Sequence, residues 1–247
     1  MQDVKMHNAG EQGLVVEFGK VIDEIVNAKV SKLNALIKER LQDNGIIETV
    51  PTYRSLLIYF DPFTISKAQL REKIAELLPH VADATASKQG TLVHIPVCYE
   101  GEEFAPDMAF VCEHTKLSPQ EVIKMHTEPE YLVYMIGFLA GFPYLGGMNE
   151  QLATPRLKQP RTKIMPGSVG IADKQTGIYP VESPGGWQLI GRTPVPVYDP
   201  NLDNPFLFKT GDYLKFESIS LKEYEQILQD VQAGSYKPTY SDLGGGK

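Results

Sequence analysis

Hydrophobic residues recur along this chain in two rhythms, and the change between them near residue 90 divides it. In the first part, Leu14 to Phe18 is an apolar run of strand length. Val21 to Leu41 then carries Ile22, Ile25, Val26, Leu33, Leu36, Ile37 and Leu41 at the spacing of one helix face. Asp43, Asn44 and Gly45 are turn formers that stop this helix, after which Ile46 to Val50 and Ser55 to Phe60 read as paired strands. Ser66 with Gln69 three residues on forms a capping box, and Leu70, Ile74, Leu77 and Leu78 supply the buried stripe of a second helix. With a last strand expected near Val81, the order β-α-β-β-α predicts a small split β-α-β module.

Ala82 to Gly90 is small and polar, which marks a boundary and predicts domains over 1–88 and 89–240. Beyond it Thr91 to Tyr99 alternates and breaks at Pro96. Ser118-Pro119-Gln120-Glu121 announces a helix, with Ser as cap, Pro in the first turn and Glu reaching back, and Val122, Ile123 and His126 share one face of it. From Ile164 the chain turns to short β runs, SVGIA, IYPV, WQLIG, VPVYD, FLFK and YLKFE, separated by Gly, Pro or Asp. Strands this short at regular intervals predict a sandwich or closed barrel. Ser218 to Gln232 returns to helix, with Leu221, Tyr224, Ile227, Leu228 and Val231 on one side, and the tail TYSDLGGGK is expected to fray.

Composition narrows the function classes. No window approaches the roughly 18 uninterrupted apolar residues of a membrane span, and MQDVKMHNAGEQG lacks the basic then apolar pattern of a secretory signal, so the cytoplasm is the expected location. A net charge of -7 argues against broad nucleic-acid binding. Cys98 and Cys112 form no CxxC pair. His94, His114 and His126 lack the spacing of a helical metal pair, so no metal site is expected, and His7 and His80 stand without partners. Against this acidic background, Gly137 to Pro194 holds ten of the 21 glycines and the single tryptophan. It carries Arg156, Lys158, Arg161, Lys163, Lys174 and Arg192 against Glu150, Asp173 and Glu182. A cationic, glycine-rich surface suits a small anion.

Several motifs lie in one order along the chain: His94-Ile-Pro-Val with Tyr99, Val122-Ile-Lys-Met-His126, Tyr131-Leu-Val-Tyr134, Gly137-Phe-Leu-Ala-Gly-Phe-Pro-Tyr-Leu-Gly-Gly147, Pro155-Arg156, Pro160-Arg161, Pro166-Gly-Ser-Val-Gly-Ile-Ala172, Gln175-Thr-Gly-Ile-Tyr-Pro180 and Pro184-Gly-Gly-Trp-Gln-Leu-Ile-Gly-Arg-Thr193. Together they resemble the allophanate hydrolase subunit 1 family, whose members include the B subunits of 5-oxoprolinases and the histidine-kinase inhibitor KipI. Ala140 stands where the family commonly has Pro, which leaves the local turn less rigid. The resemblance implies an α+β chain, a small split β-α-β domain followed by a cyclophilin-like β-barrel. It also implies an ATP-dependent opening of 5-oxoproline to glutamate performed with 5-oxoprolinase subunits A and C. The alternative it carries is a KipI-like inhibitor that contacts a histidine kinase without turnover. Peptidyl-prolyl isomerase activity is suggested by fold alone, and fold does not carry activity.

Under the first reading, part of the complex must hold a carboxylate and a developing oxyanion. Arg156, Arg161 and Arg192 suit bidentate carboxylate binding and Lys163 adds a point charge; the competing reading makes them ion pairs on the barrel rim. Ser168, in a Pro-Gly-Ser turn, offers a hydroxyl but lacks the pattern of a nucleophile. Gln175, Thr176 and Tyr179 would orient an amide from a turn, or simply hold that turn. His126 either contacts the pocket or is satisfied by backbone. Phe138, Phe142 and Tyr144 read as pocket lip or partner-docking patch, and Trp187 as core or subunit interface. No Walker sequence or GxGxxG is present, so ATP is expected to be held mainly by a partner subunit.

Overall fold

The computed structural model describes residues 4–85 and 90–243, and these fall into two compact units on either side of residues 86–89. Part of the expected boundary segment, and the last four residues of the chain, thus lie outside the described residues.

The N-terminal unit is built on strands β1 (Lys5–Ala9), β2 (Gly13–Glu17), β3 (Ile46–Pro51) and β4 (Ser55–Phe60), in the order β1-β2-β4-β3. β4 is antiparallel to both β2 and β3, so those two run parallel with β4 between them, which is the split β-α-β arrangement. Helices α1 (Glu24–Arg40) and α2 (Lys67–Leu77) supply Val30, Leu33, Ile37, Leu70 and Ile74 to a core shared with Leu14, Val16, Leu56 and Ile58. The Asp23 carboxylate caps α1 by accepting from the Ile25 and Val26 amides. Ile22 and Ile25, read as part of the buried face, are exposed because the cap places them before or within the first turn, away from the sheet. The expected last strand near Val81 is a 3-10 turn, Leu78–Val81, opened by Pro79. β1, too polar to announce itself, pairs with the edge of β2.

The second unit wraps a sheet in the order β10-β9-β12-β5-β13-β6-β7. Its strands are β5 (Thr91–Cys98), β6 (Tyr131–Ile136), β7 (Pro143–Gly146), β9 (Ser168–Ala172), β10 (Gln175–Ile178), β12 (Gln188–Arg192) and β13 (Tyr213–Ile219). A separate pair is formed by β8 (Arg161–Ile164) and β11 (Ser183–Gly185). The two ends of the long sheet, β10 and β7, pack on each other and make it a nearly closed, cyclophilin-like barrel. Closure demands a bare backbone at Gly177, where a Cβ would lie 3.1 Å from both the Pro143 carbonyl oxygen and the Phe142 ring. Valines and isoleucines from β5, β9 and β12 fill the interior with Tyr131, Phe216 and Leu214.

Among the described residues three α-helices accompany the barrel: α3 (Met108–Thr115), α4 (Pro119–Thr127) and α5 (Leu221–Gln232). The Ser118/Glu121 capping box forms as read, whereas α5 starts at the Ser220 cap, two residues later than the periodicity suggested. β5 runs through Pro96 without a break. Opposite β13, its pairing with β14 (Thr239–Asp242) ends at His94 and its pairing with β12 involves only Cys98, so no ladder bond is lost at Pro96. β14 also corrects the frayed tail: TYSD is a strand, held by its ladder and by the His94 imidazole, which bridges the Glu217 carboxylate (2.7 Å) and the Ser241 hydroxyl (2.8 Å). VPVYD and FLFK form no named strands; they meet at the bridge between Tyr198 and Phe206, beside the Leu207 amide donating to Val197 (3.1 Å).

Gly177→Val is expected to lower unfolding free energy by about 1–3 kcal/mol through forced overpacking at the closure. Gly186→Ala, where an added Cβ meets nothing nearer than 3.6 Å, is expected to stay within about 0.5 kcal/mol of wild type. Urea unfolding of both variants checks this.

Candidate functional site

The residues singled out by sequence separate into distinct neighbourhoods of the second unit. The first is organised by Phe142. Its ring makes edge contacts to Phe138 (6.1 Å), Tyr144 (5.1 Å), Tyr179 (5.5 Å) and Trp187 (5.4 Å). Serving four rings buries it to 2% exposure, and Trp187 to 6%, so neither presents its ring to a partner. Phe138 is the opposite case. It tops the loop joining β6 to β7, 74% exposed, at φ +66. The Leu139 amide donates to the Gly137 carbonyl at 2.8 Å, so Phe138 is the centre of a positive-φ γ-turn, a strained conformation for a residue with a Cβ.

Arg156 lies beside this aromatic group. Its segment is tied down by the Leu157 amide donating to Gly186 (2.7 Å) and the Gln188 side chain donating to Pro155 (2.8 Å). The Arg156 guanidinium sits 5.9 Å over the Trp187 ring and 3.5 Å from Asp173, with its side chain largely in solvent. Two phenols feel it. Burial raises Tyr144, opposed by the Arg156 charge. Burial also pushes Tyr179 up to about 12, against the opposing effects of a hydrogen bond from the Trp187 backbone and the charges of Arg156 and Arg161. Both phenols therefore remain neutral at physiological pH. Gly185 permits the Tyr179 contact, since a Cβ there would collide with the Tyr179 hydroxyl.

Arg161, expected to bind ligand or pair on the rim, is committed to Asp107. Its guanidinium donates to the carboxylate at 2.7 Å, while the other Asp107 oxygen accepts from the Leu189 amide at 2.6 Å. Asp107 was not singled out from sequence, because its partners lie 54 and 82 residues away and no local pattern marks it. Lys163 pairs with Glu182 at 2.7 Å on the exposed β8 and β11 pair.

Arg192 belongs elsewhere. It reaches the Glu103 carbonyl at 2.9 Å, stacks 5.1 Å over Phe104 and bonds the Tyr224 phenol. Ser168 is its cross-strand neighbour; its buried hydroxyl and the enclosed Arg192 Nε have no hydrogen-bond partner among the described residues. Ser168 has neither base nor acid beside it to act as a nucleophile. Gln175 and Thr176 stand in β10 rather than on a turn, and Tyr179 follows the strand.

His126 is interior and satisfied by side chains, not by backbone. Its Nδ1 lies 2.8 Å from the Tyr99 hydroxyl and its Nε2 2.8 Å from Thr176 Oγ1, which in turn donates to the Gly170 carbonyl at 3.1 Å. The Thr176 proton is thus spent on Gly170. His126 must donate from Nε2, and Tyr99 must donate to Nδ1. Phe216 stacks at 4.5 Å, and burial lowers the imidazole to about 3.

Among the described residues, no three His, Cys, Asp or Glu side chains gather closely enough to hold a metal ion, and no helix is long and apolar enough to cross a membrane. The exposed Arg156, the partly exposed Tyr144 and the strained, exposed Phe138 form a surface able to grip an anion. It contains no nucleophile paired with a base.

Known proteins are similar to this chain in sequence and in fold. A family described as carboxyltransferase domain, subdomain C and D, matches residues 4–208. A protein from Bacillus subtilis (strain 168), named as the B subunit of 5-oxoprolinase, is 42% identical over 240 residues, covering 92% of this chain and 97% of that one. The crystal structure of TTHA0988 is 34% identical with TM-score 0.72, over 85% of this chain and 40% of that one. The K. lactis urea amidolyase structure, 24% identical over 96% of this chain and 16% of that one, shares the fold with TM-score 0.79.

The buried imidazole links stability to pH. The unfolded state takes up a proton below the ordinary value of 6.5 while the folded state resists until about 3, so stability is lost as pH falls across that window. Between pH 6 and 4 the wild-type unfolding free energy is expected to carry a His126 contribution of up to about 1.4 kcal/mol per pH unit, absent in His126→Gln. Urea titrations at stepped pH measure it.

Proposed function

The chain belongs to the carboxyltransferase-domain family, subdomains C and D, and we propose that it is the B subunit of a 5-oxoprolinase that works in the cytoplasm with subunits A and C. The observation that carries this reading is the 42% identity to a 5-oxoprolinase B subunit along nearly the full length of both chains. The reaction proposed is the ATP-dependent opening of 5-oxo-L-proline to L-glutamate. An unstrained lactam is a poor electrophile. Phosphorylation of its oxygen by ATP would let water add to the carbon and the ring nitrogen leave with a proton, and a second water would then release phosphate from the resulting acyl phosphate.

In that scheme this chain supplies binding and orientation. Arg156 meets the substrate carboxylate and the neutral Tyr144 phenol donates beside it, both resting on the buried cluster of Trp187 and Phe142. Arg161 acts behind them, holding that cluster through Asp107. ATP is assigned to a partner subunit. Lys163 and Lys174 already sit 2.7 Å from Glu182 and Glu150, and the described residues carry no glycine-rich loop at a strand-to-helix junction to cradle a triphosphate. Phe138 is proposed as the anchor that docks the C subunit. A strained turn that holds an aromatic ring out in water costs the free chain stability, and capture of that ring by a partner offsets the cost.

Reconstitution with and without this chain, read as ATP-dependent glutamate formation from 5-oxoproline, tests the assignment. Activity requiring the chain supports it, and activity unchanged in its absence refutes it. Arg156→Ala is expected to cut turnover at least about tenfold with assembly intact, the loss of a charge-assisted contact in a desolvated site. Phe138→Gly is expected to leave the isolated chain as stable or more stable, since Gly accepts positive φ, while weakening the complex at least about tenfold. Calorimetric melting and titration of the partner subunit distinguish these effects.

A further inference from the structure

A groove of about 380 Å³ lies in the second unit, remote in sequence from the Arg156 segment except at its Val195 edge. One wall is the loop after β12, closed by the Asp199 amide donating to Pro205 (2.9 Å) and by the Tyr198–Phe206 bridge, whose rings meet tilted at 5.4 Å. The other wall is the chain leaving α5, where the Tyr236 amide returns to the Asp230 carbonyl (3.1 Å) before Tyr240 enters β14. Phe206, Tyr236 and Tyr240 all line the space, and Phe206 and Tyr240 keep substantial exposed area.

The residues that line the groove carry charge of one sign. No Lys, Arg or His is among the lining residues, and the single ionised side chain there is Asp199. Its Oδ1 accepts from the Asn201 backbone amide and side chain, both at 2.9 Å, and no described residue donates to Oδ2. The phenols report the same field. Burial raises Tyr236 and Tyr240, and the charges of Glu217 and Asp212 respectively raise them further, with no cation opposing. Aromatic faces attract cations through their quadrupole, and a carboxylate with a free lone-pair edge beside them adds direct charge complementarity. The volume lies in the range of small-ligand sites rather than of a macromolecular interface.

We propose that this groove is a binding site for a small organic cation, an ammonium group on an apolar stem, seated against Phe206, Tyr236 and Tyr240 with Asp199 as its counter-ion. The site uses none of the residues assigned to 5-oxoproline and stands or falls independently of that assignment.

Binding to the isolated chain is measured by NMR or calorimetric titration with choline and with 3,3-dimethylbutan-1-ol, which has the same shape without the charge. Choline is expected to saturate with an affinity at least about tenfold above that of the alcohol. Asp199→Asn keeps the Oδ1 acceptor for Asn201 and so the loop, and is expected to weaken choline at least about tenfold while leaving the alcohol unchanged. Tyr240→Leu, on an exposed strand position, is expected to weaken choline with melting temperature preserved. Equal affinity for the two probes, no saturable binding of choline, or an Asp199→Asn variant that binds as wild type would each overturn the proposal.

Discussion

The buried relay from Tyr99 through His126 and Thr176 to Gly170 is the interaction on which the barrel's arrangement depends. It joins the end of β5, the inner face of α4, β10 and β9, four pieces separated by up to 77 positions in a line of bonds whose donors all point one way. In a low-dielectric interior each unsatisfied member would carry a desolvation cost, so the chain is stable only when complete. It fixes the imidazole as neutral with its proton on Nε2. It also seats α4 against Phe216 and holds β10 where Gly177 can meet β7.

Once the interior is settled in this way, many residues that look chemical turn out to be structural. Thr176 and His126 are spent on each other. Arg161 is spent on Asp107, and that pair pins β8 to the strand carrying Leu189 and so backs the Trp187 cluster. What the barrel turns outward is the group of Arg156, Tyr144 and Phe138 around the buried hub of Phe142. This group has charge, hydrogen-bond donors and apolar surface but no nucleophile and no base. We propose that it is one side of a site that a partner subunit completes.

The features readable from sequence were those set by near neighbours. The Ser66/Gln69 and Ser118/Glu121 capping boxes are complete within four residues, and the split β-α-β order follows from periodicity and turn residues alone. The barrel motifs carried the family for the same reason, as long uninterrupted runs. Long-range partnership was hidden. Nothing near Arg161 announces Asp107, nothing near His94 announces Ser241, and the polar strands β1 and β14 pair only because a sheet edge waits for them. Phe138, Phe142 and Tyr144 read alike from sequence as a pocket lip or docking patch, yet only the strained γ-turn separates the exposed Phe138 from the buried Phe142, and φ is not written in the residue types.

On the proposed function, the Arg156, Tyr144 and Phe138 surface is half of a site completed by another subunit. Hydrogen exchange of this chain, alone and mixed with its partner subunits and 5-oxoproline, tests it most directly. New protection is expected to concentrate in residues 137–145 and 155–160, with the buried strands β5 and β9 unchanged. Protection absent from both segments, or confined to the N-terminal unit, would contradict it.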